Sequence, residues 1–231
     1  MLYLSKKDIE RIGIEVLADF YQTMPEGWAS VNIEGLATEY LGLNPQYQRL
    51  SDTGQILGLT TFQSIQLELK IRGKDETITV PQDTVLLDDS LRPIYCRGRR
   101  RFTLAHECSH QILYRLEEAQ LGHSRRGSVV AGQTYSCRQL HTASDWEEWQ
   151  ANALGAVLLM PEPLVRCGYA RWWGRRKIQL TDRGIAREDY IGARYLAQDL
   201  CVSTNALLIR LRELGLVETH SQQGGICARA S

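Results

Sequence analysis

The chain has five histidines, and two of them, His106 and His110, enclose a glutamate in His106-Glu107-Cys108-Ser109-His110. The residues from Arg101 to His110 read with a helical period. Four residues along an α-helix turn it by ~400° and raise it ~6 Å, so both imidazoles share a face and can reach one cation. Imidazole pairs at this spacing favour zinc, which lowers the pKa of a bound water to about 7. Glu107 lies beside both histidines on the helix surface, placed to take a proton from such a water without competing as a ligand. The chemistry these residues predict is metal-assisted hydrolysis.

A catalytic zinc requires a third protein donor and an open position for water. The segment from Asp145 to Met160 reads as a helix that is apolar nearly all round and is stopped by Pro161. A carboxylate at the start of such a helix is costly to bury unless it is paired or binds a metal. Glu148 shares a face with Asn152, Gly155 and Leu159, and the small Gly155 admits close approach of another helix. Spacing alone leaves Glu147 and Asp145 as competitors.

The stretch Arg-Phe-Thr-Leu-Ala-His-Glu-Cys-Ser-His, followed by Glu-Trp-Gln-Ala-Asn and then Leu-Leu-Met-Pro, resembles the ImmA/IrrE family of metallopeptidases, over roughly Gly54 to Leu216. The resemblance implies a zincin-like fold and one Zn2+ per chain, held by His106, His110 and Glu148, with Glu107 as the catalytic glutamate. It also implies a substrate class: helix-turn-helix repressors, often in mobile elements or stress responses, whose cleavage relieves repression. The sequence departs from the usual pattern at Cys108-Ser109, where members carry a small or apolar residue and then glycine. Serine is small enough for close packing. Cys108 points about 160° from His110 on a helix, so it is read as buried packing rather than as a ligand. His123, Cys137 and His141 are read as ordinary loop residues, because a second metal site built from them lacks a fourth partner, with His141 or a tyrosine left as candidates to face the cleft and stabilise an oxyanion.

Other elements must position these groups. Ser5 and Asp8 form a capping box, and Ile9, Ile12, Val16 and Phe20 then mark a helix from about Lys6 to Tyr21. Asn32 caps a second helix with the stripe Ile33, Leu36, Ala37, Tyr40 and Leu41, ending near Asn44 and Pro45. Between Gln55 and Leu87 the short runs Ile56 to Phe62, Ile65 to Ile71 and Thr77 to Val80 predict a small antiparallel sheet. Near the C-terminus two short helices flank Cys201-Val202-Ser203, with Ser203 as N-cap and Gly215 as stop, in a helix-turn-helix-like pattern. The expected architecture is α+β, with a metallopeptidase domain over 1–165, a basic loop and helical subdomain over 166–219, and a flexible tail over 220–231.

Composition bounds the rest. Hydrophobic residues at 43% and charged residues at 23% are ordinary for a globular chain and exclude a disordered or collagen-like one. With 27 basic and 27 acidic residues the net charge is zero, so no global field advertises nucleic acid or membrane. No signal-peptide core or bilayer-spanning run occurs and the six cysteines are scattered, so the expectation is a cytoplasmic protein with reduced thiols.

Neutrality conceals two basic runs. Five arginines and no acid lie between Arg92 and Arg101. Seven basic residues against Asp182 lie between Arg166 and Arg187, around Trp172 and Trp173. Arginine interleaved with tryptophan can bind nucleic acid or an acidic protein, or form a docked basic loop paired with nearby carboxylates. From Tyr190 to Glu218 three arginines balance three acids, which favours a structural cap over a DNA reader. The leading expectation is a zinc endopeptidase acting on a protein substrate. The alternative is a DNA-binding transcription regulator that uses the zinc fold as a scaffold.

Overall fold

Ser5 opens the first helix, α1 (Lys6–Tyr21). Its hydroxyl accepts from the Asp8 N–H while the Asp8 carboxylate accepts from the Ser5 N–H, the reciprocal cap read from the sequence. The computed structural model describes residues 2–22, 30–52, 54–122, 129–131, 142–181 and 184–219. His123, Cys137, His141 and the tail from Ser221 lie outside the described residues.

Asn32 caps α2 (Ile33–Gly35), its side-chain oxygen accepting from the Gly35 N–H at 3.0 Å, and the helix continues as a π-helical turn over Leu36–Tyr40. It stops there rather than at Asn44 and Pro45. Gly42, with φ +66°, turns the chain, and Asn44–Gln48 form a strand, β1. Pro45 is tolerated because β1 is an edge strand, where a missing N–H costs no ladder bond.

The strands β2 (Gly58–Thr61), β3 (Ile65–Ile71), β4 (Lys74–Val80), β5 (Thr84–Asp88) and β6 (Val129–Ala131) complete this region. The four-stranded sheet has the order β1-β5-β2-β6, and β1 runs parallel to β5. The sheet is therefore mixed rather than antiparallel throughout. The intervening β2, β3 and β4 supply the long return that a parallel pair needs. β3 and β4 form a separate hairpin, turned by Arg72 and Gly73 at φ 53° and 74°, the double positive φ that matches strand twist. Val80 of that hairpin packs with Leu50, Leu59 and Leu86 in a satellite apolar cluster.

The long helix α3 (Arg97–Leu121) packs against α4 (Ala143–Leu159), and α1 lies against α4. After Pro161 the chain enters α5 (Glu162–Trp173), so the first part of the second basic run is helical rather than a loop. It continues into β7 (Ile178–Thr181) and β8 (Gly184–Ile185), which with β9 (Val217–Thr219) make a small sheet of order β8-β7-β9. Between them lie α6 (Arg187–Asp199) and α7 (Thr204–Glu213). Ser203 caps α7 through the Ala206 N–H, and Gly215 at φ +68° follows its end. The chain is α+β. One apolar cluster joins Ile9 and Leu17 of α1, Leu104 and Cys108 of α3, Leu154 and Leu158 of α4, Leu196 of α6 and Leu207 of α7. Among the described residues no helix is long and apolar enough to cross a membrane.

Buried Asp189 holds α6 to the end of α5, accepting from the Trp173 indole N–H at 2.9 Å and from two nitrogens of Arg176. The Arg176 hydrogen bond, opposed by burial and aided by Trp173, holds its carboxyl below the ordinary value of 3.8. A depressed carboxyl stabilises the fold above its unfolded pKa, and that stability is lost as pH falls through the folded value. Below about pH 4 the Trp173 indole N–H resonance should therefore lose hydrogen-exchange protection, and Asp189→Asn should remove that acid dependence; an unchanged acid dependence in the variant would contradict the assignment.

Candidate metal centre

His106 and His110 are buried on one face of α3. Their Nε2 atoms are 3.1 Å apart, and the ring planes stand at 87°. The third donor comes from α4. Glu148 Oε2 lies 3.4 Å from His106 Nε2, and Oε1 lies 3.3 Å from His110 Nε2. The two helices approach closely at Gly155, where a Cβ would meet the His106 backbone nitrogen at 3.2 Å. Of the three acids that spacing left in competition, Asp145 is used otherwise: its carboxylate accepts from the Thr142 N–H in the capping box that starts α4. Among the described residues, His106, His110 and Glu148 form the only group of His, Cys, Asp and Glu side chains able to hold a metal ion.

The separations are informative. A tetrahedral ion with bonds of ~2.0–2.1 Å sets its donors ~3.3–3.4 Å apart, close to the three distances found here. Burial alone would raise the pKa of Glu148, but hydrogen bonds to His106 and His110 outweigh it and hold the carboxyl at about 2. Burial pulls His106 down, and the Glu148 hydrogen bond with the charges of Glu107 and Glu148 overcomes it, for a net rise. The donor set is thus a carboxylate and two imidazoles drawn to one point, and it fits a divalent cation. Asn152 braces it by donating to the Glu148 carbonyl at 2.9 Å.

Glu107 takes no part in that triangle. Its carboxylate is fully buried, and neither oxygen has a hydrogen-bond partner among the described residues. Burial pushes its pKa up to about 8, opposed by His106 and aided by Glu148. A buried polar group without a partner is expensive, so this carboxylate is held ready for something the fold does not supply.

Two residues that the motif did not reveal set its position. Gln111 donates to Thr60 Oγ1 at 2.8 Å and to the Thr61 carbonyl at 3.0 Å, tying α3 to β2. Gly58 of β2 leaves the space for the carboxylate, because a Cβ there would meet Glu107 Oε1 at 2.5 Å and Thr103 Cγ2 at 2.6 Å. A glycine inside a strand pattern is a sign of close approach, and that signal was available in the sequence. Gly58→Ala should destabilise the chain by about 1–3 kcal/mol in chemical denaturation, the cost of overpacking; a neutral result would show that the carboxylate has room to move.

Cys108 and Ser109 make no claim on the metal. Cys108 sits in the apolar core, where burial pushes its thiol pKa up, and Ser109 donates to the Ala105 carbonyl at 2.7 Å.

Three residues of each basic run are committed to the fold. Arg92 pairs with Asp89 and lies over the Tyr47 ring, Arg100 donates to the Leu91 and Arg92 carbonyls, and buried Arg101 donates to Glu34 and the Val31 carbonyl. In the second run Arg166 pairs with Glu162, Arg176 with Asp189 and Lys177 with Glu218.

Compared with models of known protein families and with the curated proteins, the chain matches none.

Proposed function

We propose that the chain is a zinc-dependent endopeptidase with a zincin-like fold, of the ImmA/IrrE kind, acting in the cytoplasm. The observation that carries this reading is the convergence of His106 Nε2 and His110 Nε2, 3.1 Å apart, on the Glu148 carboxylate, whose Oε2 lies 3.4 Å from the first and Oε1 3.3 Å from the second, beside a buried and unpartnered Glu107 carboxylate. Zinc is the common ion for two imidazoles and a carboxylate, and when bound it supplies Lewis acidity to a water and to the scissile carbonyl. Glu107 would take a proton from water on a carboxylate oxygen and return it to the leaving amine. Its burial keeps bulk water from competing for that proton.

The substrate class follows from the resemblance of the two motifs alone: a helix-turn-helix repressor, cleaved to relieve repression. The test is incubation of the zinc-loaded chain with a helix-turn-helix repressor encoded beside its gene. Discrete fragments that disappear on chelation and return with zinc support the reading. An intact repressor removes that substrate, and failure to cut unfolded proteins such as casein as well removes the peptidase reading.

A further inference from the structure

Trp172 and Tyr195 lie on the side of α5 and α6 that faces solvent. Their rings stack with planes 7° apart and centroids 5.4 Å apart. The neighbouring Trp173 turns inward onto Tyr169, and Gly192 makes room for both indoles, since a Cβ there would sit 2.9 Å from the Trp173 ring. Trp172 and Tyr195 are nevertheless 47% and 52% exposed, so their outer faces remain in water, and Ile191, one turn before Tyr195, is exposed as well.

Arg171 precedes Trp172 in α5, Arg194 precedes Tyr195 in α6, and Arg175 follows the end of α5. All three are exposed, and none has an ion-pair or hydrogen-bond partner among the described residues, unlike Arg166, Arg176 and Lys177 of the same run. Tryptophan, tyrosine and arginine are the side chains that concentrate binding energy at protein interfaces. Two rings already stacked on each other lose little further rotamer entropy on docking.

We propose that this face docks a partner protein through a segment carrying Asp or Glu next to a large apolar side chain. The carboxylates would meet the arginines in charge-assisted pairs, and the apolar side chain would lie on Trp172 and Ile191. A nucleic-acid strand fits less well. The exposed apolar side chain of Ile191 beside Tyr195 offers a contact that a protein segment uses and a phosphate backbone does not. The proposal is independent of the metal chemistry, since docking needs no hydrolysis.

The test is fluorescence anisotropy of a labelled random copolymer of glutamate and tyrosine titrated with the full chain. Polyglutamate, which lacks the rings, and oligothymidylate are titrated in parallel. The copolymer should bind more tightly than either. Trp172→Ala and the double variant Arg171→Glu with Arg194→Glu should each weaken it on the order of tenfold, and Lys7→Glu on α1 should leave it unchanged. Both arginines are exposed and make no ion pair or hydrogen bond among the described residues, so the charge reversals should not lower the melting temperature. Absence of copolymer binding, binding that both variants retain, or preference for oligothymidylate would overturn the proposal. Cleavage is assayed separately, so a peptidase-dead chain still gives a clear answer here.

Discussion

Glu107→Gln is expected to lower peptide hydrolysis by ~10²–10⁴-fold while leaving metal content unchanged, the range lost when a positioned proton acceptor is removed. Glutamine keeps the shape of the side chain beneath Gly58, so neither β2 nor α3 has to move. It cannot take a proton from water. The ligands His106, His110 and Glu148 keep their geometry, since none of them hydrogen-bonds to Glu107 among the described residues. The buried carboxylate also carries a desolvation cost that a neutral amide reduces, so the variant should be no less stable than the parent. Zinc content, a denaturation curve and a cleavage assay on the same preparation separate these effects. A metal-replete variant that still cleaves would remove Glu107 from the chemistry.

The second large effect concerns stability. Arg210 of α7 is buried and makes three hydrogen bonds to two distant parts of the chain. Its Nη2 reaches both oxygens of Glu10 on α1 at 2.7 and 2.6 Å, and its Nε reaches the Met160 carbonyl, just past the end of α4, at 3.0 Å. Glu10 in turn lies 3.4 Å from the Glu162 N–H at the start of α5. One guanidinium thus fastens the C-terminal helices to the end of the helix that carries Glu148.

Arg210→Met keeps an apolar stem but leaves Glu10 and the Met160 carbonyl without their donor. Breaking a buried pair costs about 3–5 kcal/mol, and the lower end applies because the Glu10 side chain keeps 23% of its exposure and can regain some hydration. About 3 kcal/mol is ~6–12 °C in melting temperature for a chain of this size. A cycle with Glu10→Gln should show strong coupling, and additive effects of the two variants would show that the pair is not what holds α7 in place.

The legible parts of the molecule were those encoded locally. A helix brings residues four apart onto one face, so His106 and His110 could be paired from spacing, and the Ser5 and Ser203 caps could be read from residue type. Spacing could not choose among Asp145, Glu147 and Glu148, because the choice depends on how α4 lies on α3. The structure gives Asp145 another task, in the capping box with Thr142. β1 was hidden by Asn44 and Pro45, residues that usually punctuate chains, and nothing local says that an edge strand will accept them. The helix α5 was masked by its arginines, which read as a charged loop until Glu162, Asp189 and Glu218 are seen beside that run. The Arg210 clamp joins residues 200 positions apart in sequence and is a property of packing alone.

His106, His110 and Glu148 are expected to hold one divalent ion. Atomic emission analysis of the purified chain after extensive dialysis tests it directly. The expected result is one zinc ion per chain in the parent and in Glu107→Gln, with near-complete loss in His110→Ala and Glu148→Ala variants that remain folded. A parent chain that binds no stoichiometric zinc, or ligand variants that retain it, would contradict the account.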